Sequence, residues 1–271
     1  MGIEIGHGDD RFERVDTKDF LETVGPGAKK RVESRMIQEI DFTSYAPDQV
    51  GRDMEVGLRS RNRRESSEKE VLATIVTAII LEQVEAKKWF GEGALAIKTS
   101  SYDESRGIRL VIEFQRKDGT SWLALATDIV FSEDLGDILG ATEERIRRGD
   151  LGRIKYFHSE ISGVKGELSL LPEAAIAVRS KRALIELGQL YFFDKGHKDD
   201  IGEKEDRLFL FYQQMLKGLQ VQLERFSNLA DEFVGRKGGL DLGRIVVAGA
   251  YKKALVTIED LIRDSKRIAH A

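Results

Sequence analysis

Apolar positions along this chain change their period twice, and those changes divide it. Val71, Leu72, Ile75, Val76, Ile79, Ile80 and Val84 recur at three- and four-residue steps, the stripe of a helix. "SEKE" at its start reads as a capping box, with Ser67 as N-cap and Glu70 reaching back, and the glycines of "GEGA" end it. Three apolar runs of strand length follow, "ALAIKTS" (94–100), "GIRLVIEFQ" (107–115) and "WLALATDIVF" (122–131). "DESRG" and "KDGT" between them predict turns, and hence an antiparallel meander.

Next come a helix in "LGDILGATEERIRRG" closed by Gly149, a strand in "GRIKYFHS", a strand in "PEAAIAV" opened by Pro172, and a helix in "SKRALIELGQLYFF". From about 203 the period is helical throughout. Leu208, Phe211, Tyr212, Met215, Leu219, Leu223, Phe226 and Phe233 form one stripe, and Val247, Tyr251, Leu255, Ile258 and Ile262 another after the break "GRKGGLDLG". Two such helices predict an antiparallel hairpin, a packing element or a surface for homo-oligomer formation. The predicted class is α/β (α+β): a mixed central sheet with an antiparallel meander flanked by helices, plus a C-terminal helical hairpin. Three regions are expected: a polar N-terminal extension (1–66), an α/β core (67–201) and the hairpin (202–271). In the first, "DFLETVG" and "AKKRVESRMIQEI" predict short helices and "SYAPDQVG" a loop.

Composition narrows the functional classes. The 271 residues are 41% hydrophobic and 33% charged with 3 Pro, the balance of a helix-rich globular protein. There is no Cys, which removes disulfides, thiolate zinc sites and cysteine nucleophiles. The N-terminus is polar and acidic, without the apolar core of a signal peptide. The most apolar window, "VLATIVTAIIL", is too short to cross a bilayer, so a cytoplasmic protein without membrane contact is expected. A net charge of -4 gives no global attraction for nucleic acid. Locally, Arg52, Arg59, Arg61, Arg63 and Arg64 crowd one segment, either a solvated face or mobile arm, or a patch that contacts phosphates.

Asp128 is the candidate that stands out, a carboxylate inside an apolar strand on the face of Ala124, Ala126 and Val130. It either caps or pairs with an arginine, or serves as metal ligand or general base. Glu113 shares a strand face with Arg109, and Asp103 lies in the turn before that strand. Carboxylates converging at one end of a sheet suit a hard cation, Mg2+ or Mn2+, which polarises a phosphodiester and activates water. Lys98 and Lys117 are the nearby cations, either stabilising a phosphate or lying on the surface as strand lysines. The four histidines show no ligand spacing, and neither a P-loop nor a GxGxxG is present.

"TSSYDESRGIRLVIEF", "LALATDIVFS", a helix, "GRIKYFHS" and "LPEAAIAV" followed by a helix together resemble the PD-(D/E)XK nuclease superfamily over about residues 67–195. The resemblance implies a carboxylate-bearing helix before a meander whose second and third strands carry metal-binding acids and a lysine. Asp128 then matches the strand-three acid and Glu113 the glutamate of the second strand. Glu82 is taken as the helix carboxylate, with Glu70 and Glu68 competing, and Asp103 as a third metal acid. Two positions depart from the pattern: Arg109 stands where the first strand acid is expected and Val130 where the lysine is. Lys98, Lys117 or Lys155 is left to supply the cation. Two functions follow, a divalent-metal-dependent nuclease acting on DNA or RNA, or a catalytically degenerate relative acting as a binding or assembly module. An approach of Asp128 to Glu113 favours the first, and Arg109 between the acids favours the second.

Overall fold

A computed structural model describes residues 17–64, 67–115, 122–131, 136–178, 180–193, 200–235 and 241–268. Its elements run α1 (Thr17–Glu33), α2 (Pro47–Arg64), α3 (Glu68–Ala86), β1 (Ala94–Lys98), α4 (Ser101–Ser105), β2 (Leu110–Gln115), β3 (Trp122–Phe131) and α5 (Gly136–Arg148). They continue with β4 (Gly152–His158), β5 (Lys165–Leu171), β6 (Glu173–Val178), α6 (Lys181–Phe193), α7 (Asp200–Gly235) and α8 (Leu242–Ile268). The chain is of mixed α/β class, with a four-stranded mixed sheet, a second two-stranded sheet and a packed C-terminal helix pair.

The main sheet has the order β1-β2-β3-β6. β1, β2 and β3 form the antiparallel meander, with Ala96 opposite Ile112 and Ile112 opposite Leu125. β6 then joins β3 in parallel, Asp128 opposite Ala175. Such a join requires a crossover, which α5 and the β4–β5 hairpin supply. Strand alternation sends Leu110, Ile112, Leu125 and Ile129 to one face, against α3. Val111, Ala124 and Ala126 go to the other, where Ile154, Phe157 and Leu171 of the hairpin cover them.

α3 is the central helix. Leu72, Ile75, Ile79, Ile80 and Val84 are buried, and Ala73, Ala78 and Leu81 close its other sides. Phe20, Val24, Ala28 and Val32 of α1 join the same buried cluster, as do Phe211, Met215, Leu223 and Phe226 of α7 and Tyr251 and Ile258 of α8. The hairpin also finishes the sheet. Gln222 of α7 accepts from Ala175 N (2.9 Å) and donates to Ala175 O (2.7 Å), as a neighbouring strand would on the open edge of β6.

Several expectations are corrected here. The two short N-terminal helices are one, α1, which runs through Pro26. "SYAPDQVG" is not a loop throughout, because α2 starts at Pro47 within it, a favoured first helical position, and carries the whole arginine cluster. "DESRG" is largely the short helix α4, capped by Ser100, whose hydroxyl accepts from Asp103 N (3.1 Å). β5 was not foreseen. Among the described residues, no helix is long and apolar enough to cross a membrane.

Candidate functional site

Four elements end at one place. The last residue of β1, the first turn of α3, the entry to β2 and the C-terminal half of β3 meet at one end of the sheet. The ladder's last rung pairs Leu110 with Thr127. Arg109 N donates to Thr127 O (3.0 Å), which sets Arg109 one step further on, opposite Asp128.

Arg109 is 5% exposed and organises this end. Its Nη1 and Nη2 donate to the two oxygens of Glu70 at 2.6 and 3.0 Å, the forked geometry that guanidinium and carboxylate share. Nη1 is also 3.1 Å from Glu104 Oε1. Nε lies 3.6 Å from Asp128 Oδ1, an ion pair too long for a hydrogen bond. Lys98, 2% exposed, donates from Nζ to Glu104 Oε2 (2.6 Å) and sits 3.4 Å from Arg109 O. Arg64 reaches in from α2, its Nη1 3.4 Å from Glu104 O.

Three carboxylates thus face three cations in a partly closed space, and each side tunes the other. Burial disfavours the charge on Glu104, yet Lys98 and Arg109 outweigh it and hold its carboxyl down at about 2. Burial opposes the Arg109 charge too, but the Glu70 and Glu104 carboxylates raise its pKa further. Lys98 is pulled below the ordinary lysine value by burial, with Glu104 opposing. Asp128 is pushed up by burial, with Arg109 opposing.

The other acids taken as metal ligands lie elsewhere. Glu113 pairs with Ala124 across the ladder, four residues along β3 from Asp128, about 13 Å at the usual strand rise. The register therefore does not bring the two carboxylates together. Glu113 is instead fully buried against the hairpin, accepting from Ser159 Oγ, which itself accepts from Ile161 N and Ser162 N (both 3.1 Å). Asp103 is 1% exposed and takes three donors, Ser100 Oγ (2.9 Å), Lys155 N (2.8 Å) and Tyr156 N (3.1 Å), so it fastens α4 to β4. Burial still pushes its carboxyl up. Lys155 is enclosed by the rings of Tyr45, Tyr102 and Tyr156 and paired with Asp53.

Glu82 is on the outside of α3, half-exposed, where it accepts from Arg31 Nη1 at 2.9 Å. Glu70 is the α3 carboxylate at the sheet end. Its backbone N donates to the Ser67 cap (3.2 Å), but its carboxylate does not close the expected box, because Arg109 holds it. Lys117 lies outside the described residues. The arginine cluster splits by azimuth on α2. Arg61 and Arg64 share a side with Gly57 and face inward, Arg61 pairing with Glu33. Arg52, Arg59 and Arg63 fall on the opposite, exposed side, Arg59 pairing with Glu55.

A hard divalent cation needs several oxygens about 2.0–2.6 Å away, free of competing positive charge. Among the described residues no group of three or more Asp, Glu or His is placed to hold one. The acids that do converge, Glu70, Glu104 and Asp128, converge on a guanidinium, so the donor set present does not fit the metal.

Sequence reasoning passed over Glu104, although "SSYD" before it carries the Ser-x-x-Asp signature of a helix start. Comparison with protein-family models, with curated proteins and with solved structures finds no match for this chain.

Proposed function

We propose that this chain is a catalytically degenerate PD-(D/E)XK-like protein of the cytoplasm that binds rather than cleaves. One observation carries the reading: Arg109 stands among Glu70, Glu104 and Asp128, where the resemblance calls for a cation held by acids. A resident guanidinium satisfies the carboxylates without exchangeable ligand positions, and so provides no activated water. The order of helix, three-stranded meander, helix and parallel fourth strand agrees with the resemblance, though a shared fold would not by itself carry activity.

The partner best matched by charge is a nucleic-acid backbone on the outer side of α2. Arg52, Arg59 and Arg63 lie 7 and 11 residues apart, near one azimuth, spread over about 16 Å of helix. Phosphate contacts of this kind are independent of sequence and weaken with salt. The test uses labelled single- and double-stranded DNA and RNA with Mn2+. The reading expects no cleavage, and salt-sensitive binding that is lost when Arg52, Arg59 and Arg63 are all changed to Ala. Metal-dependent cleavage abolished by Asp128→Asn would overturn it in favour of the nuclease.

A further inference from the structure

α1, the end of α2 and the first turns of α3 enclose a cleft of about 470 Å³, within the range of small-molecule sites. Lys98 and Arg109, both buried, line it together with Glu104. Its apolar lining includes Leu21, Val32, Met36 and Val71. Arg61 and Arg64 of α2 also line it.

The charges lining this cleft do not close. Glu22 pairs with Lys18 (3.9 Å), Glu33 with Arg61 and with Lys29 (3.9 Å), Glu70 with Arg109, and Glu104 with Lys98 and Arg109. Arg64 has no such pair among the described residues. Its Nη1 makes one long contact, 3.4 Å to a backbone carbonyl, and its Nε is buried without a hydrogen-bond partner. Glu104 and Asp128 attract it through space, but both are engaged by Arg109. A guanidinium has five donors, and leaving one short of partners in a partly apolar space is costly. An arginine so placed has donors left to offer an anion from outside.

We propose that this cleft binds a small monocarboxylate with an apolar chain. Arg64 takes the carboxylate as a planar fork, and the chain lies along Leu21, Val32, Met36 and Val71. Among the described residues the one surplus positive charge matches one negative charge. A phosphate dianion would leave an unpaired charge beside Glu33, Glu70 and Glu104. The site is independent of the degenerate-module reading, because Arg64, not Arg109, supplies the recognition.

The experiment is isothermal titration of the full chain with octanoate, with octyl phosphate, octylamine and octanol as the other arms. The expected result is saturable octanoate binding, stronger than that of octyl phosphate, with no binding of octylamine. Arg64→Gln should weaken octanoate by about tenfold or more, the loss expected for a charge-assisted pair. Thr74→Phe, which fills the cleft from α3, should abolish binding and keep Arg64, which guards against a folding defect in the first variant. Circular dichroism checks both folds. Absence of saturable octanoate binding, equal affinity in Arg64→Gln, or tighter binding of octyl phosphate overturns the proposal.

Discussion

Arg109 faces Asp128 one residue beyond the last rung between β2 and β3, with Nε 3.6 Å from Oδ1. The carboxylate in the apolar strand is therefore answered by a guanidinium, which also holds Glu70 and Glu104. Removing one partner from a buried ionic network leaves the other charges uncompensated, which typically costs about 3–5 kcal/mol.

Arg109→Met should accordingly lower stability by about 3 kcal/mol or more at neutral pH. The deficit should shrink as pH falls, because protonation of Asp128, whose carboxyl burial already pushes up, removes part of the repulsion the substitution creates. Urea unfolding of both proteins at neutral and mildly acidic pH checks this.

The pH dependence of the unsubstituted protein follows from Glu104. Its folded-state pKa of about 2 lies below the ordinary 4.5, so its contribution is present above about 4.5 and lost as pH falls toward 2. The shift corresponds to something on the order of 3 kcal/mol. In Glu104→Gln the acid limb of the stability curve should be flatter, as read by thermal unfolding between pH 5 and 2.

Glu70 and Glu82 on the same helix should separate cleanly. Glu82→Gln breaks a half-exposed pair and should cost about 0–1 kcal/mol. Glu70→Gln strips a forked partner from buried Arg109 and should cost about 2–3 kcal/mol. Equal effects in denaturant melts would count against the assignment of Glu70 to the site.

Gly57 sets the approach of α2 to α4. A Cβ there would stand 2.3 Å from Ser101 Oγ and 2.7 Å from its carbonyl carbon, and backbone cannot yield as a flexible side chain can. Gly57→Ala should destabilise by about 1–3 kcal/mol. Because Arg61 and Arg64 share that side of α2, it should also alter the cleft, which octanoate titration reads directly.

Much of the fold was legible because period and burial agree. The stripe of α3, the strand runs and the two C-terminal stripes each bury what their spacing exposes as apolar. α2 was missed because its described side buries only Val50 and Gly57, leaving little periodic signal among the arginines. β5, "KGELSLL", buries only Leu171, so its alternation is weak. The site was half legible. Asp128, Lys98 and Arg109 were singled out, but which carboxylates join them depends on sheet register and on where α3 begins. Register moves Glu113 four residues away from Asp128, and the first turn of α3 brings Glu70 in place of Glu82. Neither is written in local spacing.

The most direct test of the central claim is Mn2+ binding to the unsubstituted protein and to Arg109→Ala, read by electron paramagnetic resonance and by the shift in melting temperature. If the guanidinium takes the cation's place, the unsubstituted protein binds no Mn2+ at this site. Arg109→Ala, with Glu70, Glu104 and Asp128 left around the vacated space, is then stabilised by Mn2+ and loses that response when Asp128→Asn is added. Stoichiometric Mn2+ binding by the unsubstituted protein, abolished by Asp128→Asn, would contradict the claim.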